Sequence, residues 1–260
     1  MKSKIAALLL IAALGLACAT AEQKRTAERE RDPQYQYEKA VVCMNAGLSD
    51  EALKYLAQAL TLDPGHYQSY NLRGLAYLMK AQLPEAQASF EKCVQLAPKF
   101  SDAQNNLGTV LQERNDGVGA EAAFQRAFAI DGNYNAGFNL GKIYFQKGQL
   151  DQALDYVQRS LRKFPRSLLA LNLQGLILES QNKLDDAVLS YANALTIVPD
   201  EPNVLFNQAA AYFKKGDLDK TRTQTDKILR LLREKPSANA AADAELKRRV
   251  EDLRKLLVKQ

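Results

Sequence analysis

The chain has few of the residues from which enzymes most often build metal and nucleophilic sites. Its 260 residues include one His, three Cys and no Trp. Neither a C-x-x-C nor an H-E-x-x-H motif occurs, which disfavours a metal site or a His-based catalytic triad. Phosphate-binding and dinucleotide-binding glycine motifs are also missing. The sequence therefore predicts a protein that is not an enzyme and that takes no small-molecule substrate, cofactor or metal.

Glycine and proline are scarce as well, at 13 and 8 residues, which argues against an all-β protein with many tight turns. With 47% hydrophobic and 25% charged residues, the composition is that of a folded protein rather than a disordered chain. The net charge of +5 is mild, so nucleic acid is not an expected partner. At about 150 residues per domain, the length predicts one or two domains.

The first residues have the pattern of an export signal. Lys2 and Lys4 precede a 12-residue apolar run, Ile5 to Leu16. As a helix this run spans about 18 Å, which is short of the ~30 Å hydrocarbon core of a bilayer. We therefore expect residues 1–17 to be a signal peptide rather than a permanent membrane span.

The end of this segment resembles a bacterial lipobox, in which signal peptidase cuts before a Cys that is then lipidated. Ala17 is the small residue required before Cys18, although the two residues before it depart from the usual pattern. Cleavage at the A-x-A-like site of Ala17 and Ala19 is the alternative. The resemblance implies an acyl anchor on Cys18 as the only attached group. Because Ala19 replaces the Asp that retains enteric lipoproteins in the inner membrane, it also implies the outer membrane, facing the periplasm.

A polar segment follows the anchor. Residues 19–32 lack an apolar stripe, so with Cys18 they are predicted to form a tether over 18–32. Such a tether reaches about 20 Å as a coil and about 50 Å when extended.

The rest of the chain repeats itself. Small residues that precede an aromatic or aliphatic residue recur at spacings of 34, 34, 33, 34 and 34. A glycine recurs twelve residues before four of these positions. The pattern resembles the tetratricopeptide repeat (TPR) family, with six units over 33–232 that start at 33, 67, 101, 134, 168 and 202. The repeated positions are Ala52, Ala86, Ala120, Ala153, Ala187 and Thr221, and the glycines are Gly74, Gly108, Gly141 and Gly175.

The resemblance implies two antiparallel helices in each unit. Small residues such as Gly74 let the helices approach closely, and large ones such as Phe90, Phe124 and Tyr191 fill the gaps. Stability comes from stacking, because no unit buries its faces alone. The predicted fold is therefore all-α, a right-handed TPR superhelix of six helix–turn–helix repeats with a C-terminal capping helix.

The predicted cap occupies residues 233–260. A helix from Ala240 to Lys259 carries an apolar stripe at Leu246, Val250, Leu253 and Leu257. This helix is expected to cover the last repeat. The alternative is that it binds an acidic partner or an anionic membrane surface, since residues 221–260 hold eleven Lys and Arg against six Asp and Glu.

In the TPR family the first helix of each unit lines a concave groove. Asn recurs at the fifth and sixth positions of these helices, and an Asn amide both donates and accepts hydrogen bonds. A row of such amides is able to hold an extended peptide backbone, or alternatively to pack adjacent helices together. These residues are Asn71, Asn105, Asn106, Asn139, Asn172 and Asn207.

Apolar residues also fall on the expected groove, which suits an amphipathic helix or an apolar peptide segment. The alternative is that several of them turn into neighbouring helices. At Tyr37 and Val41 the chain lacks the Lys and Asn with which chaperone-binding TPRs clamp a C-terminal carboxylate. The apolar members of the predicted groove are Tyr37, Val41, Met44, Leu75, Leu78, Met79, Phe138, Phe145, Leu176, Phe206 and Phe213.

The other candidates for chemistry have structural explanations. Cys43 and Cys93 fall at packing positions and are expected to be buried small hydrophobes rather than a disulfide or a nucleophile. Glu51, Asp185 and Asp186 fall at the starts of second helices, where negative charge is favourable to the helix dipole.

A lipidated chain of six TPR units resembles the type IV pilus biogenesis lipoproteins known as pilotins. That resemblance implies a non-catalytic, protein-binding outer-membrane lipoprotein whose partner is an outer-membrane secretin, which it helps to localise and multimerise. The alternative is a periplasmic scaffold or adaptor lipoprotein in exopolysaccharide export or in cell-wall enzyme complexes.

Overall fold

The computed structural model describes residues 25, 26 and 28–258. The predicted signal peptide (1–17), Cys18 and much of the predicted tether lie outside the described residues, as do residues 259 and 260. Residues 33–258 form thirteen helices and no strand. None of the described helices is both long and apolar enough to cross a membrane.

Twelve of these helices alternate as the first and second helices of six repeats, and each first helix begins at a predicted repeat start. The first helices are α1 (Pro33–Asn45), α3 (Tyr67–Met79), α5 (Ser101–Glu113), α7 (Tyr134–Gln146), α9 (Leu168–Ser180) and α11 (Pro202–Lys214). The second helices are α2 (Ser49–Leu62), α4 (Leu83–Leu96), α6 (Gly117–Asp131), α8 (Leu150–Lys163), α10 (Leu184–Ile197) and α12 (Leu218–Glu234). The cap is α13 (Ala240–Val258).

The turn between the two helices of each pair has a left-handed residue at its centre. Three of these six turns use Gly, which adopts positive φ without steric cost, and two use Asn, which tolerates it. The second repeat places an Ala there, with φ of 55°. The six residues are Gly47, Ala81, Asn115, Gly148, Asn182 and Gly216.

In the second, fourth and fifth repeats, close approach of the two helices depends on a glycine of the first helix. A Cβ at Gly74 would lie 2.5 Å from the ring of Phe90, and one at Gly175 would lie 2.3 Å from the ring of Tyr191. Gly141 meets a branched residue instead, at 2.4 Å from a methyl group of Val157. The predicted roles of the small and the large residues are therefore confirmed at these positions.

The chain divides into two compact units, one ending at Ala123 and one beginning at Phe124, within α6. The first unit contains α1 to α5. One of its core clusters joins the second and third repeats through Ala86, Phe90, Leu107 and Val110.

The second unit contains α7 to α13. Its core joins the fifth and sixth repeats around Tyr191, which is fully buried. The cap is docked by Leu246 and Val250, which pack on Leu205 and Ile228 of the sixth repeat. The predicted all-α TPR fold with a C-terminal capping helix is thus confirmed.

Polar side chains also join adjacent repeats near the turns between the first and second helices. Lys80 forms an ion pair with Asp50, and Lys215 forms one with Asp185. At the equivalent position Gln181 donates a hydrogen bond to Asp151 across 2.8 Å. In each case the two residues are 30 positions apart, so the same two repeat positions are in contact each time.

Candidate binding groove

Each first helix presents a half-exposed stripe on the side opposite its buried residues. On α7 the stripe is Phe138, Lys142 and Phe145, which share one helix face because they are spaced by four and three residues. Neighbouring first helices contact each other directly within each unit. Their stripes therefore form one continuous surface in each unit.

We call the surface of the second unit the C-terminal face. Besides the three residues of α7 it contains the stripes of α9 and α11 and, on α13, Arg249. The stripes of α9 and α11 are Leu169, Asn172, Leu176, Glu179, Phe206, Asn207, Ala210 and Phe213.

The equivalent surface of the first unit is called the N-terminal face. It consists of the stripes of α1, α3 and α5, which are Tyr37, Val41, Met44, Asn71, Leu75, Leu78, Asn106 and Thr109.

The Asn amides of these faces hydrogen-bond to each other. Asn106 donates to the amide oxygen of Asn71 across 3.0 Å, and Asn207 donates to that of Asn172 across 2.9 Å. Each pair joins the fifth position of one repeat to the sixth of the next. The amides therefore serve the packing of adjacent first helices, while each keeps capacity for a further hydrogen bond.

The other two predicted Asn residues differ in exposure. Asn105 is only 7% exposed, so its amide lies within the helix packing rather than on an open surface. Asn139 is half-buried beside Phe138 on α7. Asn105 also donates to the amide oxygen of Asn106 across 3.5 Å, so in the first unit the amides of Asn105, Asn106 and Asn71 form one hydrogen-bonded series.

Part of the N-terminal face is used for packing. The ring of Tyr37 lies 5.4 Å from that of His66, and Tyr37 also packs on the core of the first repeat. The imidazole of His66 is hydrogen-bonded at both nitrogens, to Ser69 at 2.8 Å and to Gln34 at 3.3 Å. Leu75 packs against the core that joins the second and third repeats. The N-terminal face is therefore apolar, but part of its apolar surface is covered by packing within the fold.

The C-terminal face is more open. Leu169 is 63% exposed, and Phe138, Phe145 and Phe213 are half-exposed. Leu176 and Phe206 pack in part on the buried clusters beneath them. An open set of Leu and Phe side chains of this kind is suited to the apolar side of a protein segment.

Two cations lie beside phenylalanine rings on this face. The guanidinium carbon of Arg249 lies 4.2 Å from the ring centre of Phe206, and the Nζ of Lys142 lies 5.9 Å from that of Phe138. Both distances are within the range of a cation–π contact. Leu169, Lys142 and Arg249 were not among the predicted groove residues. Leu169 occupies a groove position of its repeat and was recognisable from the sequence, whereas Arg249 reaches the face only because α13 docks on α11 and α12.

One carboxylate of the face is neutralised. Glu179 has a side chain that is 12% exposed, and it receives an ion pair from Lys214 at 2.8 Å and a hydrogen bond from the hydroxyl of Tyr191 at 2.9 Å. Burial raises the pKa of the Tyr191 hydroxyl, and the charge of Glu179 raises it further. The hydroxyl therefore remains a hydrogen-bond donor at physiological pH.

Reactive groups are sparse in the described residues. No cluster of three or more His, Cys, Asp or Glu side chains there is placed to hold a metal ion. Cys93 is fully buried, and burial raises the pKa of its thiol to about 12, so the thiolate form is scarce at neutral pH. Cys43 is half-buried and is not in a disulfide. Cys93 is thus buried as predicted, whereas Cys43 packs on the core of the first repeat but is only half-buried.

The family of the chain follows from comparison with known sequences. The tetratricopeptide repeat family matches residues 12–67, 37–99, 71–135 and 138–202. These matches span more than half of the chain, so the chain belongs to the tetratricopeptide repeat family. TPR domains are protein-interaction scaffolds, and the chain is accordingly a TPR scaffold that binds protein.

Curated relatives share these repeats but are longer proteins. Anaphase-promoting complex subunit 3 of Schizosaccharomyces pombe is 28% identical over 157 residues, which cover 60% of the chain and 24% of that protein. The TPR repeat-containing protein MJ1428 of Methanocaldococcus jannaschii is 23% identical over 207 residues, which cover 72% of the chain and 36% of that protein. The chain therefore spans about a quarter to a third of the length of these relatives.

Two solved structures match over nearly their whole length. PilW, described as a widely conserved type IV pilus biogenesis factor, has a TM-score of 0.68 at 21% identity, covering 80% of the chain and 95% of PilW. PilF of Pseudomonas aeruginosa has a TM-score of 0.61 at 19% identity, covering 74% of the chain and 86% of PilF. At these identities the likeness establishes a shared fold.

Proposed function

We propose that the chain is a lipid-anchored TPR protein of the outer membrane that binds an outer-membrane secretin and assists its localisation and multimerisation during type IV pilus biogenesis. The observation that carries the proposal is the match to PilW, a pilus biogenesis factor of which 95% is covered. The match to PilF and the lipobox-like sequence that ends at Cys18 add support.

The mechanism requires only binding and tethering. Acyl chains on Cys18 hold the mature chain at the periplasmic side of the outer membrane. The open Leu and Phe side chains of the C-terminal face dock an apolar segment of an unassembled subunit. Contacts between subunits then compete for the same segment, which releases the chain when the ring assembles.

In-cell photocrosslinking tests the partner. A photoreactive amino acid replaces Phe138 on the C-terminal face, and the adducts are identified by mass spectrometry. The same substitution at Leu189, which is 60% exposed on the second helix α10, is the matched control. Capture of a secretin from position 138 and not from position 189 is the expected result.

Other adducts contradict the secretin assignment. Capture of a polysaccharide exporter or a cell-wall enzyme from position 138 would assign the chain to the alternative scaffold role. Adducts from a probe on α13, with none from position 138, would move the working surface to the cap.

The anchor is tested separately by the Cys18→Ser variant. Lipidation predicts that the wild-type chain incorporates labelled palmitate and sediments with outer membranes, and that the variant does neither. Cleavage at the alternative A-x-A site would instead give an unacylated N-terminus, which the mass of the mature wild-type chain reveals.

A further inference from the structure

Two cations on the C-terminal face form no ion pair among the described residues, although Arg249 also interacts electrostatically with Glu245, one turn earlier on α13. Within the described part of the chain, neither Lys142 nor Arg249 has an ion-pair partner within 4.0 Å. Each is instead held against a phenylalanine, Lys142 beside Phe138 and Arg249 beside Phe206. The two cations lie on α7 and α13, the first and the last of the four helices that form the face.

The carboxylates near this face already have partners. Glu179 is bound by Lys214 and Tyr191. On α13, Glu245 accepts two hydrogen bonds from Arg248, at 2.8 and 3.0 Å, and Asp252 forms an ion pair with Lys255 at 2.9 Å. The charge of the C-terminal face that has no ion-pair partner is therefore positive. Lys142 carries it on one side of the apolar side chains and Arg249 on the other.

We infer that the C-terminal face selects a protein segment that is both apolar and acidic, whose carboxylates pair with Lys142 and Arg249. Its apolar side chains lie on Leu169, Leu176 and Phe213 between the two cations. The inference rests on the proposed role of this face as the binding surface. It adds the charge that the bound segment must carry.

The helix spacing sets the length of this segment. The face consists of α7, α9, α11 and the cap α13, so three steps between neighbouring helices, at about 8–10 Å each, separate α7 from α13 by about 25–30 Å. A helical segment spans this distance in roughly 17–20 residues, and an extended one does so in roughly eight. A matching segment thus has an apolar centre and acidic residues towards both ends.

Peptide binding to the full-length chain in a nonionic detergent tests the inference. Three fluorescent peptides of about twenty residues share one leucine-rich face and carry Glu, Gln or Lys at both ends. Fluorescence anisotropy gives the Kd of each peptide for the wild type and for the Lys142→Gln, Arg249→Gln and double variants. The controls are Lys163→Gln and Arg233→Gln, which remove one exposed cation each from the second helices α8 and α12.

The Glu peptide is expected to bind most tightly and the Lys peptide least. Each groove variant weakens binding of the Glu peptide about fivefold, the upper end of the range for a surface ion pair. The double variant weakens it about 25-fold, because sites this far apart act independently. The Gln peptide responds to neither substitution, and added salt reduces the preference for Glu. The control variants bind all three peptides as the wild type does.

Equal affinity for the Glu and Gln peptides would overturn the inference, as would control variants that weaken binding as much as the groove variants. Failure of the wild type to bind any of the three peptides would overturn it too. The secretin assignment is judged independently by the crosslink at position 138. A secretin adduct together with equal peptide affinities leaves the partner intact and rejects the charge selection, and the reverse result rejects only the partner.

Discussion

The side-chain amide of Asn207 donates a hydrogen bond to the amide oxygen of Asn172 across 2.9 Å, which joins the first helices of the fifth and sixth repeats. The same contact joins Asn106 to Asn71, and both of these residues lie in the first unit. In both pairs the partners are 35 residues apart, one more than the repeat spacing. These two Asn pairs therefore hold neighbouring first helices together while they lie on the N-terminal and C-terminal faces.

Removing one amide of this pair is predicted to cost stability. Asn207→Ala leaves the oxygen of Asn172 without its donor and is expected to lower the free energy of unfolding by about 1 kcal/mol. Urea denaturation measures the loss, and Asn193→Ala, an exposed Asn on α10, is the control with little expected effect. A double variant with Asn172→Ala that loses the full sum of the two single effects would show that the amides do not interact.

Adding a methyl group where α9 crosses α10 is predicted to disrupt the packing of these two helices. The Cβ of Gly175→Ala would lie 2.3 Å from the ring of Tyr191, so the pair must separate at a cost of about 1–3 kcal/mol. At Gly117 a Cβ meets nothing within 4 Å, so Gly117→Ala is the matched control. Thermal unfolding compares the two. A Gly175→Ala variant as stable as the control would contradict the close packing of these helices.

Ala81 has a left-handed backbone conformation, so its replacement by Gly is expected to stabilise the protein. Its φ of 55° is strained for Ala, whereas Gly occupies the same turn position in three other repeats. Ala81→Gly is expected to raise the free energy of unfolding by about 0.5–1 kcal/mol, after the extra entropy of Gly in the unfolded chain is deducted. Gly47→Ala reverses the change in the first repeat and should destabilise. A loss of stability in Ala81→Gly would exclude strain at this turn.

The ion pair between Asp50 and Lys80 predicts a pH-dependent contribution to stability. The ammonium group of Lys80 lowers the pKa of Asp50 below its ordinary value of 3.8. Because a lowered folded-state pKa stabilises only while the carboxylate is ionised, the contribution is present above about pH 4 and is lost as pH falls through the lowered pKa.

Thermal unfolding of wild type and Asp50→Asn across this range checks the prediction. The difference in Tm is expected at neutral pH and should close at lower pH. Asp219→Asn, which also removes a carboxylate from the first turn of a second helix, provides the baseline. A difference for Asp50→Asn that is no larger than this baseline, or that persists at low pH, would exclude the ion pair as its cause.

The repeat architecture was predictable because its signals are local and recur. Gly175 and Tyr191 are 16 residues apart in one repeat, and the same spacing and contact recur at Gly74 and Phe90. The apolar stripe of α13 likewise predicted that Val250 is buried, and it is fully buried. Each of these features depends on residues within one helix pair or one helix, so periodicity is enough to find it.

The composition of the N-terminal and C-terminal faces was less predictable. The repeat positions of Phe138 and Phe213 predict that both lie on the exposed side of a first helix, where they are half-exposed. The sequence left open whether the Asn residues bind a ligand or pack helices, and the contact between Asn71 and Asn106 depends on side-chain directions in two repeats. The prediction for Cys18 lies outside the described residues and remains a prediction.

The sequence by itself determined the family, the six helix pairs and the small and large residues at which the helices meet. Tertiary structure alone decided which polar groups satisfy one another and which remain available. Arg249 reaches Phe206 only after α13 docks on the last repeat, and Glu179 is neutralised only where Lys214 and Tyr191 converge on it. Periodicity specifies the face of a helix on which a residue lies. Charge compensation depends on distances between helices that are far apart in the chain.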